Sequence, residues 1–141
     1  MTGPGGFCLL GPMATASPSQ RALAECRKRD WPCGIVERYC SFTRRRHDLF
    51  GCIDLIALDD EMGTLGIQVT SGSNHSKRVA KTLEEPRIRR WLERGNRYEV
   101  WSYSKKGAAG KRKLWHLRVQ PVTVEMYEEA EAIALSSNPP T

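Results

Sequence analysis

The feature that most constrains this chain is one carboxylate set inside an apolar, β-rich pattern. The stretch from Arg44 to Lys81 reads RRRHDLFGCIDLIALDDEMGTLGIQVTSGSNHSKRVAK. Two runs, Cys52 to Leu58 and Thr64 to Val69, flank the turn Asp59-Asp60-Glu61-Met62-Gly63. They predict a hairpin with an acidic loop and a glycine at its exit. Strand side chains alternate faces, so Ile53, Leu55 and Ala57 are expected on one face and Cys52, Asp54, Ile56 and Leu58 on the other. In the second run Leu65, Ile67 and Val69 oppose Gly66, Gln68 and Thr70. A buried carboxylate without a partner costs several kcal/mol or takes a raised pKa. Gln68 and Thr70, at the end of the neighbouring run, are the groups expected to face Asp54.

The rest of the chain divides around this stretch. Residues 1–16 are rich in Gly, Pro, Ala and Thr and lack periodicity, which predicts a flexible segment. Residues 17–135 are expected to form one domain and 136–141 a tail; 141 residues suffice for one core. No apolar run is long enough to span a bilayer, and no secretory pattern opens the chain. The expectation is a cytoplasmic protein without a membrane partner. Five cysteines without a CxxC pair argue against a disulfide framework or a zinc ribbon. Cys26, Cys33 and Cys40 are evenly spaced, but they fall on a helix, a turn and a strand end and read as small buried thiols.

Charge points to a partner. Glu125, Glu128, Glu129 and Glu131 have no basic neighbour after Val122, so the first 121 residues carry +10 against +6 for the whole chain. Clustered basic residues at that balance suit a polyanion, with a solvated surface as the plain alternative.

Element by element, Ser17-Pro18 starts a helix to about Arg29, with Ala22, Leu23 and Cys26 apolar. Gly34 to Cys40 reads as a strand, placing Glu37 on the side of Ile35 and Tyr39. Ser41 to His47 reads as a basic connection holding Arg44, Arg45 and Arg46, whose guanidiniums suit phosphates. His47, beside Asp48, is a candidate proton relay, although a lone loop histidine usually has no such role. A helix capped by Ser73 or Ser76 follows, with Lys77, Arg78 and Lys81 polar and Val79 and Leu83 apolar. Pro86 opens a second helix, Arg87 to Arg94, with Ile88, Trp91 and Leu92 inward. Strands are expected over Tyr98–Tyr103 and Lys113–Val119, and a last helix over Val124–Leu135 that packs Met126, Ala130 and Ile133. The order is α-β-β-β-α-α-β-β-α.

Gly51 to Leu58 followed by Gly66-Ile67-Gln68-Val69-Thr70 resembles the core of the PD-(D/E)XK nuclease superfamily, which includes archaeal-type Holliday junction resolvases and many restriction enzymes. The resemblance covers roughly residues 18 to 119. It implies a restriction endonuclease-like α/β sandwich: a central mixed sheet with an αβββαβ core and flanking helices. In that family an Asp on one strand and an acidic-x-Lys triplet on the next hold a divalent metal. Asp54 matches the first, whereas Gln68 stands in the acidic position and Thr70 in the lysine position. The double replacement leaves the formal charge of the three positions at −1.

The ligands so implied are Asp54, the Gln68 amide oxygen and the Val69 backbone carbonyl, with Glu25 or Glu37 as a further carboxylate. Glu25 reads equally as a surface glutamate pairing with Arg21 or Arg29. The ion implied is Mg²⁺, with Mn²⁺ as an alternative. Lys77 or Lys81 is expected to restore the missing cation, and Arg44, Arg45, Arg46, Lys77, Arg78 and Lys81 to bind nucleic acid, DNA ahead of RNA. Three functions follow: a Mg²⁺-dependent, structure-selective endonuclease, a homodimer as resolvases are; a nucleic-acid-binding module without catalysis; or a protein-interaction factor on the same fold.

Overall fold

The computed structural model describes residues 16–137. In chain order the elements are α1 (Pro18–Lys28), β1 (Cys33–Ile35), β2 (Arg38–Cys40), β3 (Arg45–His47), β4 (Leu55–Asp59), β5 (Gly63–Ser71), α2 (His75–Leu83), α3 (Pro86–Glu93), β6 (Arg97–Lys106), β7 (Leu114–Pro121) and α4 (Val124–Ser137). The flexible segment expected over residues 1–16 lies outside the described residues except for Ala16. Of the expected tail, Ser136 and Ser137 belong to α4, and the remainder is likewise outside. No helix among the described residues is long and apolar enough to cross a membrane.

The chain is a mixed α/β protein with a five-stranded mixed sheet, order β1-β4-β5-β6-β7, flanked by helices. β4 and β5 form the expected hairpin, pairing Asp59 with Gly63 and Leu55 with Ile67. Gly63 turns it at φ +91°, where a side chain would be strained. β5 and β6 are parallel, and parallel neighbours need a crossover, here made by α2 and α3. On one face Leu55, Ala57, Leu65, Ile67, Val69 and Trp101 pack against Ala22 and Cys26 of α1. On the other, Ile53, Tyr98 and Val100 meet Ile88, Val122 and Tyr127, with α2, α3 and α4 outside them. α1 starts as the sequence predicts: the Ser17 hydroxyl accepts the Gln20 N–H at 3.2 Å.

Several expectations are revised. The single strand over Gly34–Cys40 is two strands: β1 lies at the sheet edge beside β4, and β2 leaves the sheet to pair with β3 alone. The break falls at Val36 and Glu37, whose N–H groups both donate to the Asp54 carbonyl, at 2.9 and 3.3 Å. The connection expected over Ser41–His47 therefore contains a strand, β3. β4 begins at Leu55, later than the expected Cys52, because the chain bends at Asp54 and Ile53 pairs back with Leu49. That bend moves Ile53 from the face of Leu55 to the opposite one, where its Cδ1 would come within 3.0 Å of a Cβ at Gly66. A side chain there would require Ile53 or Trp91 to shift by a few tenths of an ångström. Neither Ser73 nor Ser76 caps α2; a 3-10 turn, Gly72–Asn74, leads into it and Asn74 takes the cap position. In α4 the buried residue is Tyr127, whose hydroxyl donates to the Thr82 carbonyl at 2.6 Å, while Ile133 is exposed. Cys26 and Cys52 are buried and Cys33 and Cys40 half-buried, all as free thiols; burial and neighbouring Cys33 push the Cys26 thiol up to about 12.

Candidate functional site

Asp54 organises the site because the bend frees its carboxylate to do a strand's work. Its N–H donates to the Ile67 carbonyl at 2.9 Å, continuing the β4–β5 ladder for one residue. The next ladder position on β4 is vacated when Ile53 turns to Leu49. The N–H of Val69 then donates to Asp54 Oδ2 at 2.8 Å, and Gln68 Nε2 donates to the same oxygen at 2.9 Å. Asp54, at the bend just before β4, and Gln68 on β5 thus meet as expected, although Asp54 stands outside the strand. Val69, expected to lend its carbonyl, lends its N–H.

The Asp54 carbonyl fixes Glu37 through the two N–H bonds described above. A tight turn fixes Asp48: Phe50 and Gly51 both adopt positive φ, +54° and +75°, and Gly51 N–H donates to the Asp48 carbonyl at 3.0 Å. One carboxylate oxygen from each of Glu37, Asp48 and Asp54 lies within 4.8 Å of the others, a grouping able to hold a metal ion. Burial is the main force on Asp54, which is 5% exposed. Burial first, and then the hydrogen-bonded Asp48 carboxyl, raise its carboxyl from 3.8 to about 8. The Val69 N–H opposes the shift, while the charges of Asp48 and Glu37 add to it. Three like charges cannot gather in a half-dry site without a proton or a cation among them.

Gln68 supplies a second sign of incompleteness. Its side chain is buried, and Oε1 has no hydrogen-bond partner. An orphaned buried acceptor costs about 1–3 kcal/mol. A half-turn of the amide would present Oε1 where Nε2 now meets Asp54, which suits either a protonated Asp54 or a cation beside it.

The other expected residues are distributed unevenly. Glu25 is outside the carboxylate cluster: it accepts from Arg29 Nε at 2.9 Å, the i,i+4 pair that was its alternative reading. Thr70 is buried on β5 opposite Ser102 of β6, and Ser102 Oγ lies 2.7 Å from His75 Nδ1. Burial, then the charge of Arg118, which lies opposite Ser102 on β7, lowers the His75 pKa. Lys81 lines a cleft of about 350 Å³ with Asp48, Arg46 and His47. Lys77 does not; with Arg78 and Lys81 it lines a separate cleft of about 330 Å³. Lys81 thus shares a cleft with Asp48, as do Arg46 and Arg87. Arg44, Arg45 and Arg46 are all exposed, and only Arg46 reaches the cluster, 3.6 Å from Glu37. His47, the candidate relay, meets Thr43 Oγ1 at 3.3 Å.

Asp48 is the residue that the sequence pattern did not single out as a ligand. Its signal was the Leu49-Phe50-Gly51 turn, which folds Asp48 back against a carboxylate six positions on. No protein-family model, curated protein or solved structure matches the chain.

Proposed function

We propose that this chain is a divalent-cation-dependent endonuclease of DNA, built on the restriction endonuclease-like sandwich that its β4–β5 motif resembles. The observation that carries the reading is the cluster of Glu37, Asp48 and Asp54, with oxygens within 4.8 Å of one another around a buried, proton-hungry carboxylate. Three hard oxygen donors fit Mg²⁺ or Mn²⁺ and do not select softer ions. The acidic ligand missing at Gln68 is replaced by two carboxylates from outside the motif. Held there, a divalent cation supplies Lewis acidity to a phosphodiester oxygen. Lys81 and Arg46 supply the positive charge that draws a phosphate into the adjoining cleft, and Lys81 takes the electrostatic part of the lysine absent at Thr70.

A second reading, a binding module without catalysis, is favoured by the Gln68 Nε2 bond to Asp54, which satisfies the carboxylate without any cation. One experiment separates the two. Branched, single-stranded and duplex DNA are incubated with Mg²⁺ or Mn²⁺, and Mn²⁺ binding is measured in parallel by calorimetry, for wild type and Asp54→Ala. The endonuclease reading expects cleavage that falls by roughly a hundredfold or more in the variant, together with loss of Mn²⁺ binding. Wild type that binds DNA without cleaving it, while Gln68→Glu with Thr70→Lys cleaves, assigns the chain to the second reading.

A further inference from the structure

The β2–β3 hairpin is the one part of the described chain that pairs only with itself. Its loop, Ser41 to Arg44, carries Phe42 at 96% exposure. Arg44 turns the loop at φ +56°, an uncommon conformation for a residue with a side chain. Hydrophobic surface this open contributes nothing to the core. Residues 38–47 hold Arg38, Arg44, Arg45 and Arg46 and no acidic residue. Charge reverses at the base, where Glu37 immediately precedes β2 and Asp48 immediately follows β3. Tyr39, 60% exposed, faces Arg46 across the hairpin. Both line a cleft of about 400 Å³ that also includes Glu37. An aromatic tip, a basic stem and an acidic base thus follow one another along a single hairpin.

Each part suits a different group of a polynucleotide. An aromatic ring stacks on any nucleobase whose face is open, without sequence preference. Guanidiniums bind phosphate in forked pairs. Stacked bases within an intact duplex offer no open face to a hairpin tip. Resting on the endonuclease reading and deepening it, we infer that this hairpin is a base-stacking wedge, with Phe42 against an unpaired base and Arg44, Arg45 and Arg46 on the flanking phosphates. The substrate class it selects is DNA with unpaired or unstacked bases beside the phosphate to be cut: single strands, forks and branch points.

The test is equilibrium binding in EDTA, so that cleavage plays no part. Fluorescence anisotropy compares a single strand, a fork and a blunt duplex for wild type, Phe42→Ala and Phe42→Trp. The inference expects Phe42→Ala to lose about tenfold or more on the single strand and the fork, with little change on the duplex and full retention by Phe42→Trp. A 2-aminopurine in the strand should be quenched by wild type and Phe42→Trp but not by Phe42→Ala. Because Phe42 touches no core, matching thermal melts are expected for all three proteins. Equal losses on strand and duplex, or no loss on either, overturn the wedge and leave the endonuclease reading standing. Absence of any DNA binding by wild type overturns both. Phe42-dependent binding to phosphatidylserine vesicles without DNA binding would assign the hairpin to a lipid surface instead.

Discussion

The central sheet and the β2–β3 hairpin solve opposite problems. β5 and β6 bury both faces over most of their length, and with β4 they withdraw Leu55, Ala57, Leu65, Ile67, Tyr98, Val100 and Trp101 from water. Each buried aliphatic side chain there contributes about 1.5–3 kcal/mol. The hairpin buries almost nothing, carries four arginines and is held by three residue pairs. Stability belongs to the first region, and recognition is the role proposed for the second. The carboxylate cluster lies at their seam, with Asp54 owned by the sheet and Glu37 and Asp48 by the two ends of the hairpin. An ion held by all three would tie an exposed recognition element to a rigid frame, which is how precision is given to groups on a loop.

The division is broken most severely from the sheet side. Trp101 is fully buried, donates its indole N–H to Glu99 Oε1 at 2.9 Å, and lies 5.0 Å beneath the Arg29 guanidinium. Trp101→Ala removes that packing and the donor to Glu99 Oε1, leaving the buried glutamate with Arg97 alone, at 2.9 Å. A loss of about 3–5 kcal/mol is expected, read as a lower urea midpoint at unchanged slope. A loss below about 1 kcal/mol would mean that α1 and the sheet do not form one cooperative unit.

The seam gives the next effect, and it depends on pH. Because burial and Asp48 raise the Asp54 carboxyl from 3.8 to about 8, the native chain keeps a proton that the unfolded chain releases at low pH. Stability from this group is complete below about pH 4 and is lost as pH rises through about 8. Asp54→Asn keeps an acceptor for Val69 N–H but cannot ionise. Thermal melts from acid to mildly alkaline pH should therefore fall with rising pH in wild type and stay flatter in the variant. Mn²⁺ should raise the wild-type melting temperature most at the alkaline end, where its binding no longer has to displace a proton, and should leave the variant unchanged. Parallel pH curves for the two proteins would remove Asp54 as the proton holder.

Much of this was legible in the sequence, for physical reasons that can be named. The β4–β5 hairpin and its acidic turn followed from alternation and from Gly63. The Asp54–Gln68 contact followed because two strands in that register bring those positions together. α1 was readable from Ser17-Pro18, and α3 from Pro86. The hairpin was not readable: Arg38-Tyr39-Cys40 and Arg45-Arg46-His47 bury no face, and alternation is visible only where one face is buried. Asp48 was missed for a related reason, since two consecutive left-handed residues reverse the chain and no periodic pattern records a reversal. Ile133 was assigned inward because Val124–Leu135 is apolar on more than one side, and the sequence does not say which side meets Thr82.

The smallest expected effect on stability sharpens the comparison from the hairpin side. Arg44, Arg45 and Arg46 make one ion pair among them, Arg46 with Glu37 at 3.6 Å, and the Arg46 side chain is 72% exposed. Exposed pairs of this kind contribute little. Replacing all three by alanine should change unfolding free energy by no more than about 0.5 kcal/mol, while the same protein binds DNA more weakly and with a flatter dependence on salt. The slope should fall by about one for each phosphate that no longer meets a guanidinium. Arg46 should behave differently from its neighbours. Its loss also frees Glu37 from a competing cation, so Arg46→Ala alone should strengthen Mn²⁺ binding, whereas Arg44→Ala with Arg45→Ala should leave it unchanged. Identical Mn²⁺ affinities in the two variants would mean that the stem and base of the hairpin act independently, and that the seam between sheet and hairpin carries no coupling.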